Sequence, residues 1–131
     1  MTSREDVEHF FERLGSEGIQ VREMEPGLWI LSAGPDAPEV AVHYNPPVLV
    51  MRVKVLDLGT GNKKAELYRH LLELNATDLV HGSYGIDGDA VLLSDALELE
   101  DLDFTEFQAS YDSMMLALAS HLATLAPYRQ A

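Results

Sequence analysis

The chain contains no cysteine, so disulfides, thiol nucleophiles and Cys-based zinc sites are all excluded, as fits a reducing compartment. It is also poor in positive charge. Nine Lys and Arg stand against 22 Asp and Glu in 131 residues, a formal net charge of −13. Phosphate backbones and anionic membrane surfaces are repelled by such a surface, so neither nucleic acid nor a membrane is an expected partner. Long apolar runs are missing as well. The longest, Val48 to Met51, is far too short to span a bilayer, and Met1-Thr-Ser-Arg-Glu-Asp6 leads into polar sequence with no signal-peptide core. The expectation is a soluble, cytoplasmic protein. The shortage of cations is uneven. No Lys or Arg falls between Arg69 and Arg129, whereas Glu73, Asp78, Asp87, Asp95, Glu98, Glu100 and Asp103 all do, so the C-terminal half should be strongly negative.

What is present suffices for one folded unit over residues 1–131, since a chain of this size buries roughly two thirds of its unfolded surface. A first helix begins near Thr2 or Ser3, capped by Thr2 with Glu5 or Ser3 with Asp6, and buries Val7, Phe10, Phe11 and Leu14 at helical spacing. Gly15 and Gly18 stop it. Ile19 to Met24 and Leu28 to Ala33 read as strands around a Glu25-Pro26-Gly27 turn, and Val40 to Tyr44 and Val48 to Leu56 as two more, joined through Asn45-Pro46-Pro47. In the last of these, Leu49, Met51, Val53 and Val55 share one face. Val48, Val50, Arg52 and Lys54 share the other. Asn62 is placed to cap a helix over about Lys63 to Asn75 with Leu67, Leu71 and Leu74 on one stripe.

Two further strands, near Leu79 to Ile86 and Ala90 to Ala96, flank an Asp87-Gly88 turn, which pairs Tyr84 with Val91 and Gly82 with Leu93. The last helix starts at a capping box, Asp103 with Glu106, and a staple, Leu102 with Phe107. It then runs through Tyr111, Met114, Met115, Leu118, Leu122 and Leu125 toward Pro127. The order α-β-β-β-β-α-β-β-α describes an α+β fold with an antiparallel sheet and helices mainly on one face.

The Gly27-Leu-Trp-Ile30 and Leu49-Val-Met-Arg-Val53 strands, the Leu71-Leu-Glu-Leu-Asn75 helix end and the Gly82-Ser-Tyr-Gly-Ile-Asp87 hairpin carry a resemblance over nearly the whole chain. The chain resembles the YbjN-like family, related to the type III secretion chaperones of the CesT and Tir-chaperone class. That resemblance implies a secretion-chaperone-like fold and homodimers that hold an extended segment of a client protein. It also implies relatives that act as sensory-transduction regulators, and it supplies no active-site residues.

Candidate chemistry is sparse. His9, His43, His70, His81 and His121 are dispersed without ligand spacing, so no metal site is expected. Asp87-Gly88-Asp89 is followed by strand-like residues rather than further oxygen ligands, which favours a turn over a calcium loop. Glu98, Glu100, Asp101 and Asp103 read as a solvated loop and helix cap, and Ser32, Ser83, Ser94 and Ser110 lack a nucleophile-elbow setting. Gly59-Thr-Gly-Asn-Lys63 lacks P-loop spacing. Trp29, Met114 and Met115 fit core packing, although the tryptophan could instead serve an interface and the methionines an adaptable binding surface.

The expected function is therefore a non-enzymatic, cofactor-free protein-binding module of chaperone type. Alternatives are a regulatory subunit docking a folded partner and a small-molecule-binding protein. Val48, Val50, Arg52 and Lys54 form a mixed patch suited to a client, where two cations could guide an acidic-apolar segment. Leu67, Tyr68, Leu71 and Leu72 on the middle helix are the expected homodimer contact.

Overall fold

The structure, a computed structural model, describes residues 1–59 and 62–129. Helix α1 spans Arg4–Gly15, β1 Gln20–Glu25, β2 Leu28–Ser32, β3 Val40–Asn45 and β4 Val48–Asp57; α2 spans Lys64–Thr77, β5 Ser83–Asp87, β6 Ala90–Glu98 and α3 Phe104–Leu125. The strands form one antiparallel sheet in the order β1-β2-β3-β4-β6-β5. The α+β class, the element order and the antiparallel sheet agree with the sequence.

Local chemistry accounts for the boundaries. Of the two caps open to α1, the protein uses Ser3 with Asp6, each side chain bonding the other's backbone N–H. The Asp6 carboxyl is thereby held below its ordinary range, chiefly by the Ser3 amide. Asp103 and Glu106 make the same reciprocal box on α3, and Leu102 and Phe107 are both buried beside it. Pro26-Gly27 forms the first tight turn, with Gly27 at φ 84°, a value that suits glycine.

Three expectations need correction. Asn62 does not cap α2: Lys63 is the cap residue and makes no side-chain cap bond. Thr60 and Gly61 of the same linker lie outside the described residues. Strand β5 starts at Ser83, four residues later than its composition suggests, because Leu79 N–H still bonds Leu74 O in the helix wind-down and Gly82 sits at φ 82°. The hairpin turn is Gly88-Asp89, since Gly88 at φ 60° takes the left-handed position while Asp87 stays in the strand. Tyr84 therefore opposes Leu93 rather than Val91. The shift is by two residues, so each side chain keeps its face.

The sheet's inner face carries the core. Trp29 and Leu31 of β2, Val40 and Val42 of β3, Leu49, Met51 and Val53 of β4, and Val91 and Leu93 of β6 are all buried. Helices α1 and α3 cover them: the Phe11 ring meets Trp29 edge-on at 4.9 Å, and Phe107 packs against both Phe10 and Phe11. Trp29 is thus a core anchor, and Met114 is fully buried. The opposite face is different. Leu28, Ile30, Ala41, Val48 and Val50 are half-buried there, and His43, Arg52 and Lys54 are exposed.

Candidate functional site

The two edges of the sheet are not equivalent. β5 lies beside α2, and the Asn75 side chain of that helix occupies the edge: Tyr84 N–H donates to Asn75 Oδ1 at 2.7 Å, and Asn75 Nδ2 donates to Tyr84 O at 3.1 Å. One amide side chain thus takes the place of a single rung of a neighbouring strand. At the other margin, all six residues of β1 are exposed and the strand pairs only with β2. An edge of this kind offers a row of N–H and C=O groups to another extended chain.

The patch expected from the sequence lies on the central strand. Val48 and Val50 are half-buried and Arg52 and Lys54 exposed, all leaving the uncovered face as alternation requires. Lys54 Nζ is engaged by Asp57 Oδ1 at 2.7 Å. The α2 residues divide. Leu67 and Leu71 are buried in the protein's own core, Tyr68 is half-buried, and Leu72 is 68% exposed. Ala65, Tyr68, Leu72 and Ala76 line a shallow, mostly apolar surface on the outer side of the helix.

Two polar constellations have the residue types of catalytic sites. Tyr84 OH lies 2.7 Å from His121 Nδ1, and His121 Nε2 lies 3.2 Å from Asp78 Oδ2. A carboxylate can only accept, so Nε2 carries the proton and, in the neutral ring, Nδ1 accepts from the tyrosine. Burial, reinforced by the Asp78 charge, pushes the Tyr84 hydroxyl up to about 12, the opposite of what a nucleophile or base requires. The set ties α3, β5 and the end of α2 together. In the second, Ser110 donates to Asp95 Oδ2 while His81 Nδ1 lies 4.0 Å from the same oxygen. The histidine does not stand between serine and carboxylate, so the triad relay is not formed. Among the described residues no group of three His, Asp or Glu side chains is placed to hold a metal ion, and no described helix is long and apolar enough to cross a membrane.

An apolar groove that the sequence did not disclose runs between the C-terminal half of α3 and the 33–38 segment between β2 and β3. It encloses about 440 Å³, with Met115, Leu118 and Leu122 on one wall and Ala37 and Pro38 on the other. Met115, for which core packing is the first expectation from sequence, is only half-buried here.

A family model, CesT_Tir_1, matches the whole chain, residues 1–131. The chain belongs to this type III secretion chaperone family. Similar folds occur among solved structures. A chain of the heterodimeric ExoU–SpcU complex from the type III secretion system of Pseudomonas aeruginosa is 14% identical, with a TM-score of 0.67 over 87% of this chain and 95% of that one. YbjN from Escherichia coli, a candidate transcription regulator, is 10% identical with a TM-score of 0.70 over 93% of each chain. A chain from the complex of the Yersinia pestis type III secretion chaperone SycH with a stable fragment of YscM2 is 22% identical, with a TM-score of 0.59 over 88% of this chain and 96% of that one. At these identities the likeness carries the fold alone. No curated protein matches the chain.

Proposed function

We propose that the protein holds an extended segment of a client protein, as a two-fold homodimer, by adding the client as a strand beside β1. The observation that carries this is the asymmetry of the edges: Asn75 takes both main-chain groups of Tyr84 on β5, whereas β1 is exposed along its whole length. Main-chain pairing supplies affinity, and pockets for alternate side chains supply selectivity. The uncovered sheet face with Val48, Val50, Arg52 and Lys54 then receives residues of the client beyond the added strand. Leu72 and Tyr68 supply the self-complementary contact, while Leu67 and Leu71 support the helix from within. The family and the partner-bound neighbours favour a protein ligand.

The test uses a captured client and its bound segment as an isolated peptide. Successive residues of an edge strand point their N–H groups alternately inward and outward, so proline at Val21 and at Arg22 removes one of each kind. The variant that loses the outward donor should fold and lose the peptide, and the peptide should slow amide exchange along β1. A partner that binds equally well with every disordered segment removed would instead favour a regulator that docks folded proteins.

A further inference from the structure

We infer that the groove between α3 and the 33–38 segment is a binding site for a single-chain anionic amphiphile of fatty-carboxylate type, with its acyl chain against Met115, Leu118 and Leu122 and its head at Arg129. This lies beyond the client reading and does not depend on it. The groove's volume, about 440 Å³, falls within the range of small-molecule sites, and its walls are overwhelmingly apolar. Its charge is equally specific. On a chain of −13, with no Lys or Arg between positions 69 and 129, the fold brings Arg129 to the end of this groove beside Lys54.

Arg129 is held there by chain geometry. β3 begins opposite Val53, so the Val55 carbonyl of the longer β4 lies beyond β3, and Arg129 Nη1 donates to it at 3.0 Å. One bond fixes the guanidinium and leaves the remainder of its donor fork to recognise a carboxylate. Lys54 is shared with Asp57, and Asp36 also borders the groove, so Arg129 is the principal anchor. A second, polar hollow of about 310 Å³, bounded by Lys54, Val55, Leu56, Asp57 and Arg129, adjoins the same end and gives the head group a wet exit.

The apolar lining selects against a peptide. An extended peptide laid along Met115, Leu118 and Leu122 would set its amides against side chains that offer them no hydrogen-bond partner. An acyl chain has no polar group between head and tail.

The experiment titrates the full chain, labelled at its methionine methyls, with octanoate, decanoate and dodecanoate below their micelle-forming concentrations. Met115 should shift saturably while Met24, on β1, does not, and affinity should rise about fourfold per added methylene until the groove is full. Decanol should bind more weakly than decanoate, and Arg129→Ala should erase that difference. Leu122→Asp, at a position 56% exposed, should abolish binding with an unchanged circular dichroism spectrum; Ala119→Trp, which fills the groove from an exposed position, should do the same. No shift at Met115, equal shifts at Met115 and Met24, or a decanoate preference that survives in Arg129→Ala would each overturn the inference. So would decanoate binding that survives in both Leu122→Asp and Ala119→Trp.

Discussion

Asn75 and Tyr84 are joined by two hydrogen bonds that reproduce one rung of a β-ladder, with a side chain standing in for a strand. Because Tyr84 is buried, losing the amide strands its backbone groups at the sheet edge. Asn75→Leu should cost about 1–3 kcal/mol in urea unfolding. It should also open β5, so that light scattering detects concentration-dependent self-association beyond that of the parent protein. Asn75→Asp keeps the acceptor for Tyr84 N–H and should fall between the two. An Asn75→Leu protein of parental stability would show that the bonds are incidental.

Two tyrosines on the inner side of the fold make opposite predictions. Tyr84 OH is bonded to His121, whereas Tyr111 OH is buried with no hydrogen-bond partner among the described residues. Tyr84→Phe should cost about 1–3 kcal/mol, while Tyr111→Phe should leave stability unchanged or raise it by about 1 kcal/mol. The Tyr84 hydroxyl is raised from 10.0 to about 12 in the folded protein, so between those values the unfolded chain has released a proton that the folded one retains. Its contribution is full below pH 10 and is lost as pH climbs toward about 12. Wild type minus Tyr84→Phe, measured by denaturation across that range, should shrink with rising pH; a constant difference would contradict the linkage.

Neighbouring leucines of α2 separate folding from the proposed assembly. Leu71 is 4% exposed and Leu72 68%. Leu71→Ala should cost about 2–5 kcal/mol, the range for a buried leucine. Leu72→Arg should stay within about 0.5 kcal/mol of the parent and shift it from dimer to the monomer mass of 14.5 kDa in light scattering. A parent that is itself monomeric at micromolar concentration removes the dimer from the proposal.

These cases show which parts of the fold are legible in sequence. Val7, Phe10, Phe11 and Leu14, or Leu49, Met51, Val53 and Val55, announce themselves because periodicity is local and repeated. The turn near Asp87 is legible only to within one residue, which shifts the pairing by two, since Gly88 serves either position of a tight turn and the Tyr84–Leu93 pairing decides between them. Asn75 gives no signal of its role. Its partner sits nine positions away across a loop, and an Asn near a helix end looks like any solvated polar residue. The groove was hidden for the same reason: it requires Met115, Pro38 and Arg129 to meet, and no sequence period links them.

The final prediction concerns the cations of β4. Arg52 and Lys54 leave the uncovered sheet face together, beside Val48 and Val50. Lys54 already meets Asp57 at 2.7 Å, but both side chains are more than half exposed, so that pair contributes only about 0–1 kcal/mol. Among the described residues Arg52 has no ion-pair partner, and it is the cation left to face an incoming acidic segment. Arg52→Glu with Lys54→Glu should therefore leave the fold intact, weaken client binding and flatten its salt dependence, because charge at a rim acts mainly on encounter. Arg52→Glu alone should account for most of the change, as Lys54 is partly neutralised by its neighbour. Client affinity unchanged in the double variant at both low and high salt would remove this face from the binding surface and leave the β1 edge to account for recognition by itself.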